Sequence, residues 1–262
     1  MFQTNQCVAC GNSHVYVQPT HLAKFVGWRI SGNRPDRDID ILGMKCHECS
    51  FVGAVDRFTD VEETKLYRGY RGDEYNQMRS SCEPEYNYAD FIQDQQYYDH
   101  RKTGIVTLID RHINAVDIST VLDYGGGDGA LIPNNLLHAQ RFVYDISNVP
   151  TINGVVNYDG SIDSYDFLMC CHVLEHKSDP SDLLKKIKQY IDTDSWIYFE
   201  IPNNPNPYIG KFHEHINFFN IKSLTALLER NGFIVIDSCE YGFDSKIRAH
   251  ENNLCILAKL KE

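Results

Sequence analysis

No stretch of this 262-residue chain stays apolar for anything near the roughly 18 residues that a membrane-spanning helix requires. Its first residues, Met1-Phe2-Gln3-Thr4-Asn5-Gln6-Cys7, lack the basic and apolar regions of a secretory leader. Together these absences make a cytoplasmic location the expectation. Basic residues are in short supply too: 36 acidic against 25 basic side chains leave a net charge of −11. That balance argues against a nucleic-acid backbone or an anionic membrane as the main partner, although it leaves room for a local basic patch. A disulfide framework is also missing. The nine cysteines are odd in number, with four in two CxxC pairs and two adjacent as Cys170-Cys171, a pattern better suited to metal and free thiols. What the chain does have, 42% hydrophobic residues over 262 positions, can bury the core of one large α/β domain plus something small.

The first chemistry-bearing pattern is Cys7-Val8-Ala9-Cys10 with Cys46-His47-Glu48-Cys49. Each CxxC can put two thiolates on one ion, and two such knuckles close a tetrahedral structural zinc site. A redox motif needs only one pair and a βαβ context, so Cys7, Cys10, Cys46 and Cys49 read as zinc ligands. His14 and His47 are the reserve ligands. Between the pairs the pattern is poor in helix and carries Pro19, Gly27, Gly32 and Pro35, which predicts short strands and loops in which metal substitutes for a core. A zinc-binding domain over 1–60 is expected, in a structural or substrate-lid role.

A connector over 61–115 follows. Seven of the sixteen tyrosines, Tyr67, Tyr70, Tyr75, Tyr86, Tyr88, Tyr97 and Tyr98, crowd here among Arg68, Arg71 and Arg79. Gly69, Gly72 and Pro84 break the segment, so it is not one continuous helix. Phenols and guanidinium groups suit a pocket for a polar or phosphorylated small molecule; they equally suit a wrapping segment whose rings pack on the main domain. From Ala89 to roughly Asn114 the pattern predicts helix, with Ile105, Ile109 and Ile113 on one face and Gly104 as a point of interruption.

From 116 to 262 strands alternate with helices, which argues for a mostly parallel sheet covered on both faces. The run Val121-Leu122-Asp123-Tyr124-Gly125-Gly126-Gly127-Asp128-Gly129 ends a strand in a glycine-rich turn, and Ala130-Leu131-Ile132 is expected to open a helix there. Glycines at such a junction permit positive φ and let a ligand approach the backbone, and a helix N-terminus adds free N–H groups. The motif satisfies the glycine patterns of both dinucleotide binders and S-adenosylmethionine (SAM) binders. Its company decides: Asp123 before the glycines, Asp145 at the end of the next strand, and Asp166 to His176 carrying Cys170-Cys171-His172-Val173-Leu174-Glu175-His176.

On these residues, in this order and spacing, the chain from about 100 to 262 resembles the class I SAM-dependent methyltransferases. The resemblance implies a Rossmann-like seven-stranded α/β sheet with a reversed last strand, preceded here by the small zinc-binding domain. It implies cofactor contacts from Asp123, Gly125, Gly127 and Gly129, from Asp145 and Ile146, from Tyr158 and Asp159 near the adenine, and from Cys171 and His172. An ionised Asp145 has two acceptor oxygens for the two ribose hydroxyls.

After the next strand, beyond Pro202, Pro205, Pro207 and Gly210, comes Lys211-Phe212-His213-Glu214-His215-Ile216-Asn217. Three titratable groups in succession on a shaped loop beyond the carboxyl end of a strand suit a reaction site. With the zinc segment and the tyrosine connector, this His-Glu-His loop resembles that of the sugar C-methyltransferases acting on nucleotide-linked ketodeoxysugars. Their loop reads Tyr-His-Glu-His, and its tyrosine, glutamate and last histidine serve the proton abstraction. Carried over, Glu214 and His215 match, His176 matches the family's histidine after the fourth strand, and His213 lies between them; Phe212 stands where the tyrosine would be. Those enzymes continue into a further C-terminal domain, for which no counterpart is expected after the SAM domain here. The resemblance therefore implies a SAM-dependent methyltransferase with structural zinc. Its acceptor would be a small polar molecule, either a nucleotide-linked sugar or glycan intermediate methylated at carbon or oxygen, or another small molecule methylated at oxygen, with His215, Glu214, His176 and His213 as the catalytic set.

Overall fold

The computed structural model describes residues 1–86, 95–147, 149–203, 210–243 and 251–261. In chain order β1 (Phe2–Gln3), β2 (Val15–Leu22), α1 (Lys24–Ser31), β3 (Ile39–Cys46), β4 (Val52–Ala54) and β5 (Asp56–Arg57) precede α2 (Asp60–Tyr67), α3 (Asp73–Cys82) and α4 (Gln95–His112). There follow β6 (Thr120–Tyr124), β7 (Gln140–Tyr144), β8 (Val155–Asn157), β9 (Phe167–Cys171), α5 (Pro180–Ile187) and β10 (Trp196–Pro202). The chain then forms β11 (Lys211–Phe212), β12 (Asn217–Phe218), α6 (Ile221–Arg230), β13 (Phe233–Phe243) and β14 (Glu251–Leu260). Tyr88, the helix start expected at Ala89, and Pro205 and Pro207 lie outside the described residues.

Seven strands make the large sheet, in the order β13-β14-β10-β9-β6-β7-β8. The pairs from β10 to β8 are parallel, and β14 runs antiparallel to both β10 and β13. This is the seven-stranded α/β sheet with a reversed edge. Side chains alternate between its faces. Leu122, Phe142, Leu168, Cys170 and Phe199 enter one cluster with Leu183, Leu184 and Ile187 of α5 and Leu224, Leu227 and Leu228 of α6. Val121, Val143, Phe167, Met169 and Tyr198 enter the other with Ile105, Leu108 and Ile109 of α4. A strand buried on both faces must be apolar throughout, and β9, Phe-Leu-Met-Cys-Cys, is. Local cap chemistry starts the covering helices: Asp179 accepts the N–H groups of Ser181 and Asp182 ahead of Pro180, and Asn220 forms a reciprocal cap with Ser223.

Two expectations fail here. No helix opens at Ala130; the chain turns there and makes only a short 3-10 segment at Asn134–Leu136 before β7. Pro133 would remove the N–H and clash one turn into such a helix, and the run 130–139 is too short to start another after it. Gly104 does not interrupt α4, which is continuous over Gln95–His112. It is glycine because β13 passes close by: a Cβ there would lie 2.4 Å from the Tyr241 ring and 3.2 Å from Cys255 Sγ.

The N-terminal segment is also richer than expected. A five-stranded sheet, β11-β2-β3-β4-β12, takes its two edge strands from the His-Glu-His loop far along the chain. Its edges curl towards each other, with the Phe212 and Phe218 rings 5.8 Å apart. Metal does not stand in for a core. Helix α1 buries Phe25, Val26 and Ile30 in a cluster with Leu22, Ile41, Val52, Phe58, Leu66, Tyr75, Phe212 and Ile216, and each such side chain contributes about 1.5–3 kcal/mol. Gly27, which masks the helix in the sequence, is a packing residue, since a Cβ there would lie 2.2 Å from Ile39 Cδ1. Across the knuckles Cys7 and Cys49, and Cys10 and Cys46, have sulfurs 3.6 Å apart. Among the described residues no helix is long and apolar enough to cross a membrane.

The tight approach at Gly104 gives a stability test. Helix propensity alone would make Gly104→Ala stabilising by about 0.8–1.0 kcal/mol. The Tyr241 hydroxyl donates to Glu200 at 3.2 Å, so its ring is tethered and cannot simply yield. Overpacking of this kind costs about 1–3 kcal/mol. The expected outcome is a net loss, read as a lower urea midpoint with an unchanged m-value.

Candidate active site

The glycine turn is held open by its own backbone. The Gly125 N–H donates to the Tyr144 carbonyl at 2.7 Å and the Gly127 N–H to Asp145 Oδ2 at 2.8 Å, which ties the ends of β6 and β7 together. Gly125, Gly127 and Gly129 have φ of +78°, +60° and +81°, a region costly for residues with a Cβ. Gly126 has a different reason: a Cβ would meet Asp123 Cγ at 2.1 Å. Asp123 lies directly beneath it, 0% exposed, and neither of its oxygens has a hydrogen-bond partner among the described residues. Burial pushes its carboxyl up to about 7 against the pull of Arg101, helped by the nearby acids Asp145 and Glu200. Asp145 is well partnered, its Oδ1 accepting from the Ser147 N–H at 2.7 Å and from the Ser147 hydroxyl at 2.5 Å.

A second wall comes from the loop after β9. A Cβ on Gly125 would lie 2.5 Å from Val173 Cγ2, so this loop and the glycine turn touch. His172 begins it with φ +55°, an uncommon conformation for a non-glycine residue that marks constraint. Glu200 holds it there: the His172 N–H donates to the Glu200 carbonyl at 2.8 Å, and His172 Nε2 lies 3.2 Å from Glu200 Oε1 and 2.9 Å from Asn253 Oδ1. Arg101 Nε donates to Glu200 Oε1 at 2.5 Å, and the hydroxyls of Tyr198 and Tyr241 donate to Oε2. Burial raises the Glu200 carboxyl, but Arg101 and His172 outweigh it and hold the group at about 2.

The His-Glu-His loop closes over this wall. Between β11 and β12 the Ile216 N–H donates to the Glu175 carbonyl at 3.0 Å, and Asn217 Nδ2 donates to the carbonyls of Leu174 and Lys177. These bonds bring the His215 ring to 4.5 Å from that of His176, edge to face. His176 Nδ1 lies 3.1 Å from the Tyr67 hydroxyl and 3.3 Å from the Glu214 carbonyl. Glu214 is buried; its Oε2 accepts from Arg79 Nη1 at 2.9 Å, while Oε1 has no partner among the described residues. Burial pushes its carboxyl up to about 7, against Arg71 and Arg29. Desolvation drives both histidines towards the neutral form, His215 down to about 3 with help from His172 and His213.

The structure therefore brings Gly125, Gly127, Asp123 and Asp145 together, and groups His176, Glu214 and His215. Cys171 and His172 lie at the junction of the two walls. His213 turns towards the connector, paired with Glu83 and stacked 5.6 Å from Phe25, and reaches Glu214 Oε2 through Nδ1 at 3.4 Å. Tyr158 and Asp159 follow β8. The Tyr158 ring packs 5.2 Å from Tyr190, and Asp159 accepts the Ser161 N–H at 2.9 Å. Ile146 stands 63% exposed beside Asp145. At the other end of the N-terminal sheet the donor sulfurs of Cys7, Cys10, Cys46 and Cys49 all lie within 4.8 Å of one another, while His14 and His47 stack on each other at 4.3 Å.

Sequence reasoning missed Arg101, Glu200 and Glu175; Tyr67 and Arg79 belong to the connector whose phenols and guanidinium groups it singled out. Glu200 carried a signal, as the lone acid in the apolar strand Trp196–Pro202. Arg101 had none, because its partner lies 99 residues away.

Residues 97–238, more than half of the chain, match the family described as methyltransferase domain. No curated protein sequence matches the chain. Among solved structures, a proposed SAM-dependent methyltransferase from Listeria monocytogenes is 16% identical, covering 61% of this chain and 99% of that one, with a TM-score of 0.43. The complex between the Haloferax volcanii Trm112 methyltransferase activator and its proposed methyltransferase is 14% identical over 67% of this chain and 96% of that one, TM-score 0.48. A SAM-dependent methyltransferase from Clostridium acetobutylicum is 12% identical over 72% of this chain and 99% of that one, TM-score 0.45. The family match, over a sheet of the corresponding architecture, places the chain in the methyltransferase-domain family: it is a SAM-dependent methyltransferase.

Proposed function

We propose that the chain methylates a small polar acceptor, a nucleotide-linked sugar or glycan-biosynthesis intermediate, in the crevice between the glycine turn and the His-Glu-His loop. The observation that carries this reading is the shared wall: Val173 touches Gly125 on one side, while Glu175 and His176 meet Ile216 and His215 on the other. Cofactor and acceptor chemistry thus face one loop.

SAM, when bound, supplies a methyl group on a positively charged sulfur that leaves as a neutral thioether. The turn fits it. Gly125, Gly127 and Gly129 give backbone access, and Asp123 offers a buried carboxylate without a partner to the cationic end. Asp145 uses only part of the roughly four acceptor sites of a carboxylate on Gly127 and Ser147, which leaves capacity for two ribose hydroxyls. Ile146, Tyr158 and Asp159 stand towards the adenine, with Cys171 and His172 along the wall. On the acceptor side Glu214 and His215 take the proton, oriented by His176 and His213. Phe212, buried in β11, leaves the role of the family's tyrosine unfilled at that position. Cys7, Cys10, Cys46 and Cys49 hold a structural zinc ion that fixes the two knuckles.

Asp145→Ala removes two charge-assisted hydrogen bonds to the ribose, each of about 1.5–3 kcal/mol. SAM affinity should fall about 100-fold or more in calorimetry; unchanged affinity would remove Asp145 from the cofactor site. Glu214→Gln should cut turnover by about 10²- to 10⁴-fold while SAM still binds, and wild-type turnover in that variant would sink the assignment of the loop. Releasing metal with a thiol-reactive mercurial should free one zinc ion per chain and lower the melting temperature. Release of no zinc would end the structural-zinc reading.

A further inference from the structure

Three buried acids around the His-Glu-His loop have a cationic partner. Glu63 meets Lys177, Glu200 meets Arg101 and Glu214 meets Arg79. Glu175 is 2% exposed, and neither of its oxygens has a hydrogen-bond partner among the described residues. Its neighbours are nitrogen donors: His172 Nδ1 at 3.7 Å and His176 Nε2 at 4.0 Å from Oε1. A carboxylate taken out of water without hydrogen bonds or a counter-charge is strongly disfavoured, and coordination to a metal is one of the ways such a group is satisfied.

The rest of the geometry fits a cation. One donor atom from each of Glu175, His176 and His215 lies within 4.8 Å of the other two. The Tyr67 hydroxyl and the Glu214 carbonyl engage His176 Nδ1, which fixes the ring and leaves Nε2 turned to Glu175. An imidazole held by its far nitrogen in this way is the usual arrangement of a metal-bound histidine. Two imidazoles and one carboxylate suit a first-row divalent ion with coordination positions left open. Both histidines remain partly exposed.

We propose that Glu175, His176 and His215 bind a divalent cation whose open positions take two neighbouring oxygens of the acceptor, as in a vicinal diol or an α-hydroxyketone. This rests on reading the crevice as the acceptor site, and it narrows that reading. Ligation occupies His176 and His215, and Glu214 is then the group of the loop that accepts the proton. A cation on the acceptor oxygen lowers the cost of removing that proton.

The test uses the full chain, washed with chelator and titrated with Mn²⁺ alone, the free ion being read by its electron paramagnetic resonance signal. Mn²⁺ prefers oxygen and nitrogen donors, so the four thiolates do not compete for it. One ion should bind per chain, and added Mn²⁺ should restore turnover lost on chelation. Binding should be lost in Glu175→Gln and in His215→Ala, the latter in a partly exposed loop and checked for folding by its retained SAM binding. No Mn²⁺ uptake by wild type that still binds SAM overturns the cation site, as does equal uptake by both variants. If Mn²⁺ binds and Glu214→Gln is fully active, the acceptor-site reading falls; if Mn²⁺ does not bind and Glu214→Gln is inactive, that reading stands without the cation.

Discussion

The placement of the His-Glu-His loop depends on two backbone pairings of two residues each. Lys211 and Phe212 lie parallel to His21 and Leu22 at one edge of the N-terminal sheet, and Asn217 and Phe218 lie antiparallel to Gly53 and Val52 at the other. A strand of two residues has no stability of its own. It forms here because Phe212 and Ile216 are buried in the core built by α1, β2 and β4, and because Asn217 answers three carbonyls of the β9 loop. The four residues between the pairings, His213 to Ile216, have little freedom left. The N-terminal sheet thereby clamps the loop that carries His213, Glu214 and His215. Arg57 adds to the clamp from below, fully buried and donating from Nη1 to Asn217 Oδ1 at 2.5 Å.

Four buried carboxyl groups around the crevice show how partners, more than burial, set charge. Burial acts on all of them in the same direction. Glu200 is held at about 2 because Arg101 and His172 meet it directly. Asp123, Glu175 and Glu214 rise to about 7: among the described residues neither oxygen of Asp123 or Glu175 has a hydrogen-bond partner, and Glu214 keeps one oxygen unpartnered. Glu200 is thereby a fixed anion that orients His172 and anchors α4 to β10. The other three sit where a small change in surroundings, such as an arriving cationic ligand, decides their charge.

Much of this was legible in the sequence because it is local. Strand alternation, the Asp179-Pro180 and Asn220 caps, the paired CxxC spacing and the glycine turn are each written in a few consecutive residues. What escaped depends on distance. Nothing near Lys211 announces that it pairs with His21, and nothing near Arg101 announces Glu200. Helix α1 was hidden for another reason: Gly27 and the β-branched Val26 weaken its local preference, and tertiary burial of Phe25 and Ile30 overrides that. The missing helix after Gly129 also has a local signal, since Pro133 disfavours it.

That missing helix bears on what the turn can recognise. Dinucleotide-binding sheets seat a pyrophosphate on the N-terminus of the helix that follows their glycines, where free N–H groups and the helix dipole favour negative charge. Here there is no such helix, and several of the turn's donors are in use: the Gly127 N–H is bonded to Asp145, and the Ala130 N–H to Asp128 Oδ1 at 2.9 Å. Three carboxyl groups, Asp123, Asp128 and Asp145, surround the turn instead. A polyanion would find like charge, whereas an ammonium group and a diol would find acceptors and a sulfonium a favourable field. The same glycine spacing that leaves the two ligand classes unresolved in the sequence is, in the folded chain, set among acids that favour the cationic one.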